Sequence, residues 1–372
     1  VVNTSGITTF GGAVGGTTAL TSVTTDAGGS VVISGGSVHT TGAQTYNDAV
    51  NLGAATTLQG VNVALMSTVD GAQALTLSDS GTTVLGGIIG GTTPLLSLTT
   101  DSLTTAAGET QFKAGSIHVT TNAVFNDIVK VFTDVMVQTG GDLKFMQTVN
   151  GDIANTRSLT LDAGSLGNIT VQGVVGGSAS LKTLQVVNSN TATFNSAVTT
   201  GTSVVLTDTV DAHAIALNAG LTTPTFTVAA QPFALTLRGN IAVANGINLA
   251  NTGALLLDGT FSTANQAMTL GQAGQTTTLL ANTSLDSGTA TTMVNGSLSG
   301  SGFTLGFASP VNFSGPSALT ASTVTFSKGV TAGGDLTVNG ATVVNGGRVN
   351  SGAFTQTYNG SVTVGGAATS TT

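Results

Sequence analysis

The residues of this chain that could do chemistry are three histidines and a sparse set of acids. His39 and His118 hold matching places in GGSVHTT and AGSIHVT, each directly after an apolar residue, Val38 or Ile117. Strand alternation turns that apolar residue inward, so both imidazoles are expected to face solvent. Stacked imidazoles could ligate a metal, but these two stand far apart in the chain, and His213 has no partner nearby. Asp208 and Asp211 in LTDTVDAH, with His213 two residues on, form the one acid-plus-histidine grouping. The plainer reading of that grouping is a corner aspartate followed by a solvated strand end.

A carbohydrate-cleaving groove needs clustered carboxylates, one acting as acid and one as base or nucleophile. Glu109 is the only glutamate, and the aspartates recur at turn-like places: Asp26 with Asp101, Asp48 with Asp127, and Asp142 with Asp335 in GGDL. Acids that repeat along a chain point to geometry, whereas a catalytic pair should occur once. AGGDLTV and TGGDLKF carry only a fragment of the calcium-binding nonapeptide G-G-x-G-x-D-x-U-x, without its tandem spacing. No phosphate loop, HExxH or nucleophile elbow is present. The adjacent Thr-Thr pairs shift position along the chain, unlike the fixed Thr-x-Thr of an ice-binding face. With 14 Phe, 2 Tyr and no Trp, the aromatics read as core packing. The expected sets of catalytic, metal-binding and cofactor-binding residues are empty.

What would position such groups is legible in the composition. Only 6% of the 372 residues are charged, against roughly a quarter in ordinary globular proteins. Thr, Val, Ser, Ala, Gly and Asn dominate, which favours strands and turns over helices. No apolar run approaches the ~20 residues of a spanning helix, so no transmembrane segment is expected. A net charge of −8 with eight scattered Lys and Arg argues against nucleic acid as a partner. With no cysteine, there is no disulfide framework.

The chain repeats itself. TFGGAVGGTTALTSVTTD (9–26) returns as VLGGIIGGTTPLLSLTTD (84–101), and more distantly as VQGVVGGSASLKTL (171–184). STVDGAQALTL (67–77) returns as QTVNGDIANTRSLTL (147–161). A shorter phrase runs inside this large unit: a bulky apolar residue, three small or polar residues, then Val, Ile or Phe. It occurs as Phe10–Val14, Tyr46–Val50, Phe125–Val129, Phe194–Val198, Phe326–Val330 and Tyr358–Val362, with Asn47, Asn126, Asn195 and Asn359 following the aromatic residue in four of them. Leu65–Val69, Leu85–Ile89, Phe145–Val149 and Phe307–Val311 extend the series. Both apolar ends can point inward only if the chain bends between them, so the phrase reads as a corner. Successive copies follow one another at a nearly constant interval, as from Tyr46 to Leu65, Leu65 to Leu85 and Phe125 to Phe145. The interval from Leu85 to Phe125 is twice as long and reads as two units.

These patterns predict an all-β parallel β-helix (β-solenoid) with coils of about 19–20 residues. It is expected to be a single continuous solenoid over residues 1–372, least regular at 200–300. About nineteen coils stacked ~4.8 Å apart would make a rod roughly 90 Å long. Val1–Gly6 resembles Thr76–Gly81, the tail of a strand and its turn, so the chain reads as an excerpt of a longer one.

TYNDAV, TFGGAVGGTTALTSVTTDAGG and GAQALTL resemble the repeats of very large bacterial surface exoproteins of the filamentous haemagglutinin-like, two-partner-secretion type. The likeness is clearest over residues 1–200 and returns at 320–365. It implies that the β-helix is right-handed, with export through an outer-membrane partner transporter and a role in adhesion, aggregation or filament building at the bacterial cell surface. The expected function is a non-enzymatic shaft that associates with itself, or with a host surface, an abiotic surface or a glycan. The alternatives are a carbohydrate-active β-helix of tailspike or lyase type, and a glycan- or ice-binding solenoid.

Overall fold

The computed structural model of the protein describes residues 1–100, 108–208 and 213–365. Within them regular structure is all strand, with no helix, and every strand pairing is parallel. Short strands alternate inward and outward side chains, as in Ser116–Val119 and Asn168–Val171. The chain forms two compact units, Val1–Asn195 and Ser196–Thr372.

In the first unit each coil has three faces. In the third coil they are Gln44–Tyr46, Ala49–Leu52 and Thr56–Gly60, called here the first, second and third face. Each strand pairs with the strand of the same face one coil on: Tyr46 with Leu65, Val50 with Val69, Leu58 with Leu77. One inward column of the second face runs Val31, Val50, Val69, Ile89, Ile117, Val137, Leu161, Val186. All eight are buried, each contributing about 1.5–3 kcal/mol of apolar burial. The spacing along this column is even from Val31 to Ile89, jumps between Ile89 and Ile117, and is wide again from Val137 to Val186. The regular period therefore holds only where the corners are tight. The longest step, Ile89 to Ile117, takes in the loop at 90–96 and the stretch 101–107, which lies outside the described residues.

Aromatic rings fill the column where faces meet. Phe112 of the first face lies edge-on to Phe125 of the third at 4.9 Å, and Phe125 stacks on Phe145 at 5.1 Å.

In the second unit most coils are one long strand and one short strand. Ala234–Val243, Leu255–Thr263, Thr276–Asp286, Ser297–Phe307, Ser317–Phe326 and Leu336–Val344 are the long strands. Ile247–Leu249, Met268–Leu270, Thr292–Val294, Val311–Phe313, Val330–Ala332 and Val349–Asn350 alternate with them. Each long strand covers two faces and changes direction midway. In most of their pairings the register shifts there, as between Leu257 and Gly259 or between Gly300 and Thr304, where unpaired residues bend the strand. Ala234–Val243 and Leu255–Thr263 stay in register throughout. The described part of 200–300 winds into parallel coils like its neighbours, with register shifts at Leu257/Gly259 and Thr278/Thr283. It turns one corner within a strand instead of between two.

Nine coils are traced in the first unit and eight in the second. The total is about seventeen rather than nineteen, because loops and bulges lengthen individual coils.

Candidate functional site

Eight of the acids serve as clamps between coils. Asp26 accepts the Thr4 amide at 3.1 Å, Asp48 the Gly29 amide at 2.8 Å, and Asp79 the Val63 amide at 3.2 Å, each bond joining neighbouring coils. Asp134 accepts from Ser158, Asp142 from Asn168 and Asp335 from Thr355 in the same way. Asp127 accepts the Thr110 hydroxyl at 2.8 Å. Thus the GGDL aspartates, Asp142 and Asp335, spend a carboxylate oxygen on the backbone of the next coil. A side-chain acceptor at a corner satisfies an amide that the bent chain cannot pair with a strand.

The corner phrase carries a companion device. The Asn47 side-chain amide donates to the Thr25 carbonyl at 2.8 Å, and that of Asn126 to the Thr100 carbonyl at 2.9 Å, one coil below in each case. Asn195 reaches Gln172, and Asn359 reaches Asn339. The bulky ends Tyr46, Phe125, Phe194 and Phe326 are buried, as are Val50, Val129, Val198 and Val330, whereas Phe10, Val14 and Tyr358 are half-buried and Val362 is exposed. The phrase does not mark one corner. In the first unit Phe10–Val14 joins the second face to the third, Tyr46–Val50 the first to the second, and Phe125–Val129 the third to the first of the next coil. Leu85 and Phe125 thus lie in successive coils on different faces, and the interval between them is not two coils.

The large repeat behaves the same way. Its three copies place Val14 on the third face, Ile89 on the second and Val175 on the first. Each step is three coils and two faces, or eleven strand positions. The local structure is nevertheless the same: Gly15, Gly90 and Gly176 have φ of 70°, 70° and 73°, a region glycine enters without penalty. Asp70 accepts the amides of Thr92 and Thr93 at 2.8 and 2.9 Å, and Asn150 accepts those of Ser178 and Ala179 at 3.0 and 3.5 Å. The repeated message is a strand-and-corner scaffold, and the three faces are interchangeable places to write it.

His39 lies on the third face of the second coil and His118 on the second face of the sixth, so they belong to no common ladder. Asp208 is buried beside the stretch 209–212, and His213 is half-buried. Asp211, the other member of that grouping, lies outside the described residues, as does Asp101. Among the described residues no three His, Asp or Glu converge on a common point. Glu109 accepts from Gln111 at 2.6 Å.

Two ion pairs tie side chains together in the first unit. Lys144 meets Asp142 at 2.9 Å, and its ammonium holds that carboxyl below the usual carboxylate range, helped by the Asn168 donors. Arg157 grips Asp152 through two bonds of 2.7 and 3.0 Å and lowers its carboxyl likewise. Sequence alternation misses one polar core feature. Gln44 is fully buried, donates to the Val38 and Gln59 carbonyls, and accepts the Tyr46 hydroxyl at 2.9 Å. Burial pushes the Tyr46 phenol well above its ordinary range. The sequence signal is QTYN, which returns with the same Tyr358-to-Gln356 bond.

The outward columns are mostly uncharged. The third face of the first unit stacks Ser37, Thr57, Thr76 and Thr99, and the short-strand face of the second stacks Asn248, Thr269, Met293, Asn312, Thr331 and Asn350. Of each repeated TTD pair, the second threonine, Thr25 or Thr100, points inward and is buried. No protein-family model, no curated protein and no solved structure matches this chain.

Proposed function

We propose that this chain is a non-enzymatic shaft segment of a secreted or surface-anchored bacterial fibre or adhesin. The observation that carries the reading is the use of the acids: Asp26, Asp48, Asp70, Asp79, Asp127, Asp134, Asp142 and Asp335 all bond an adjacent coil. Groups that a hydrolase or lyase would gather in one groove are distributed along the stack as fasteners. The eleven-strand step supports the same reading, because a repeated surface loop that moves to a new face at each copy cannot build a flat one-sided array. Outward Thr, Ser and Asn columns allow close lateral packing with little charge repulsion. The resemblance to filamentous haemagglutinin-like repeats supports export through an outer-membrane partner and display at the cell surface.

Electron microscopy of the purified chain, with a polysaccharide depolymerisation panel, tests this. Thin rods, singly or side by side, with no depolymerisation are expected. Compact particles, or cleavage of any polysaccharide, would overturn it.

A further inference from the structure

We propose that a depression on the short-strand face of the second unit is a docking subsite for a carboxylate-bearing sugar residue. Asn312, Thr331 and Asn350 project outward from three successive short strands, in direct register, and form its floor. Pro310, Gly329 and Arg348 edge the depression, whose volume is about 300 Å³. Many corner amides and acids in this chain are committed to clamps or turns, and Asn350 itself accepts the Gly352 amide at 3.2 Å, but Asn312, Thr331 and Arg348 are not. Among the described residues the side chains of Asn312, Thr331 and Arg348 bond nothing else, and Arg348 is exposed without an ion pair. Lys328, at the same corner one coil earlier, is also exposed and unpaired. In a chain with sixteen acids and eight Lys and Arg, an unpaired arginine on the rim of the depression, with a second unpaired cation one coil earlier, favours an external anion there.

The chemistry selects an acidic sugar. A guanidinium fork takes a carboxylate through two parallel bonds. Asn312 and Thr331 offer donors and acceptors to ring hydroxyls, and Pro310 offers an apolar surface to the ring's C–H face. Nucleic acid would need stacking aromatics and a longer basic stripe, and no aromatic residue lines the depression. This inference is independent of the shaft reading.

Calorimetry of the full chain against an oligogalacturonate, a neutral oligosaccharide of equal length, an oligoglutamate and a single-stranded oligonucleotide tests it. The oligogalacturonate alone should bind. Arg348→Gln should weaken binding about tenfold or more, Arg348→Lys should recover part of it, and Asn312→Ala should weaken it severalfold. Both positions are at the surface, and an unchanged melting curve verifies folding. Equal affinity of Arg348→Gln and the parent, absence of oligogalacturonate binding, or equal binding of the neutral sugar, the peptide or the oligonucleotide would overturn the proposal.

Discussion

Asp70 and Asn150 perform the same task on two different faces of the first unit. Each follows the inward valine of its strand and accepts two successive amides of a loop in the next coil. The loop is the same phrase in two copies, carried from the second face to the first. What repeats in this chain is the corner and its fastener, and position around the axis is free to change.

Removing a fastener should loosen its coil pair. Asp70→Ala leaves the Thr92 and Thr93 amides to water and should cost about 1–2 kcal/mol. Asn150→Ala should cost less, because a neutral acceptor bonds more weakly. Denaturant titration of the two variants should rank them in that order, with the Asp70→Asn variant between Asp70→Ala and the parent.

The ring stack should be more sensitive. Phe125 touches Phe112 and Phe145, and Phe125→Ala would open a cavity that short strands cannot close. A loss of about 3–5 kcal/mol is expected. Hydrogen exchange should show it concentrated at 109–145, since each coil leans mainly on its neighbours. Uniform loss across both units would contradict this.

Acid should weaken the Asp142 contact. Lys144 holds that carboxyl below the ordinary range, so its folded pKa lies beneath the unfolded value of about 3.9. The stabilisation is complete above the unfolded value and disappears as pH falls through the folded one. Asp142→Asn keeps an acceptor for the Asn168 amide but has no proton to bind. Melting curves should show the variant losing less stability than the parent below about pH 4, with the two converging in strong acid.

Much of this architecture is legible in the residues. Alternation in QALTL and SLTLDAG gives strands, Phe or Tyr four places before Val gives corners, and Asn47 and Asn126 sit where the bends occur. The phase is hidden, because the corner phrase specifies a bend and an inward pair without specifying a face. Phe10–Val14, Tyr46–Val50 and Phe125–Val129 therefore look alike while turning three different corners. The interval from Leu85 to Phe125 misleads for that reason, and the loop at 90–96 adds length that no period anticipates. The stretch from 200 to 300 looks irregular in sequence because bends such as the one near Gly259 sit inside long strands, with no turn to punctuate them. Gln44 is invisible to alternation, since a buried amide declares itself only through its bonds to Tyr46 and to the carbonyls around it. Asn312, Thr331 and Arg348 lie far apart in sequence, and only the coil register brings them to one surface.

The most direct test compares two distances in a chain that contains no natural cysteine. Ser37 and Val124 share one outward column of the third face, four coils apart through Thr57, Thr76 and Thr99, a rise of about 19 Å. Ser116 is the repeat counterpart of Ser37, but it stands on the second face. Spin labels at 37 and 124 should give a distance distribution centred near that rise, and labels at 37 and 116 a clearly longer one, because they project from different faces. If the 37–116 pair were instead the shorter, the sequence repeat would span whole coils and the eleven-strand step would be wrong.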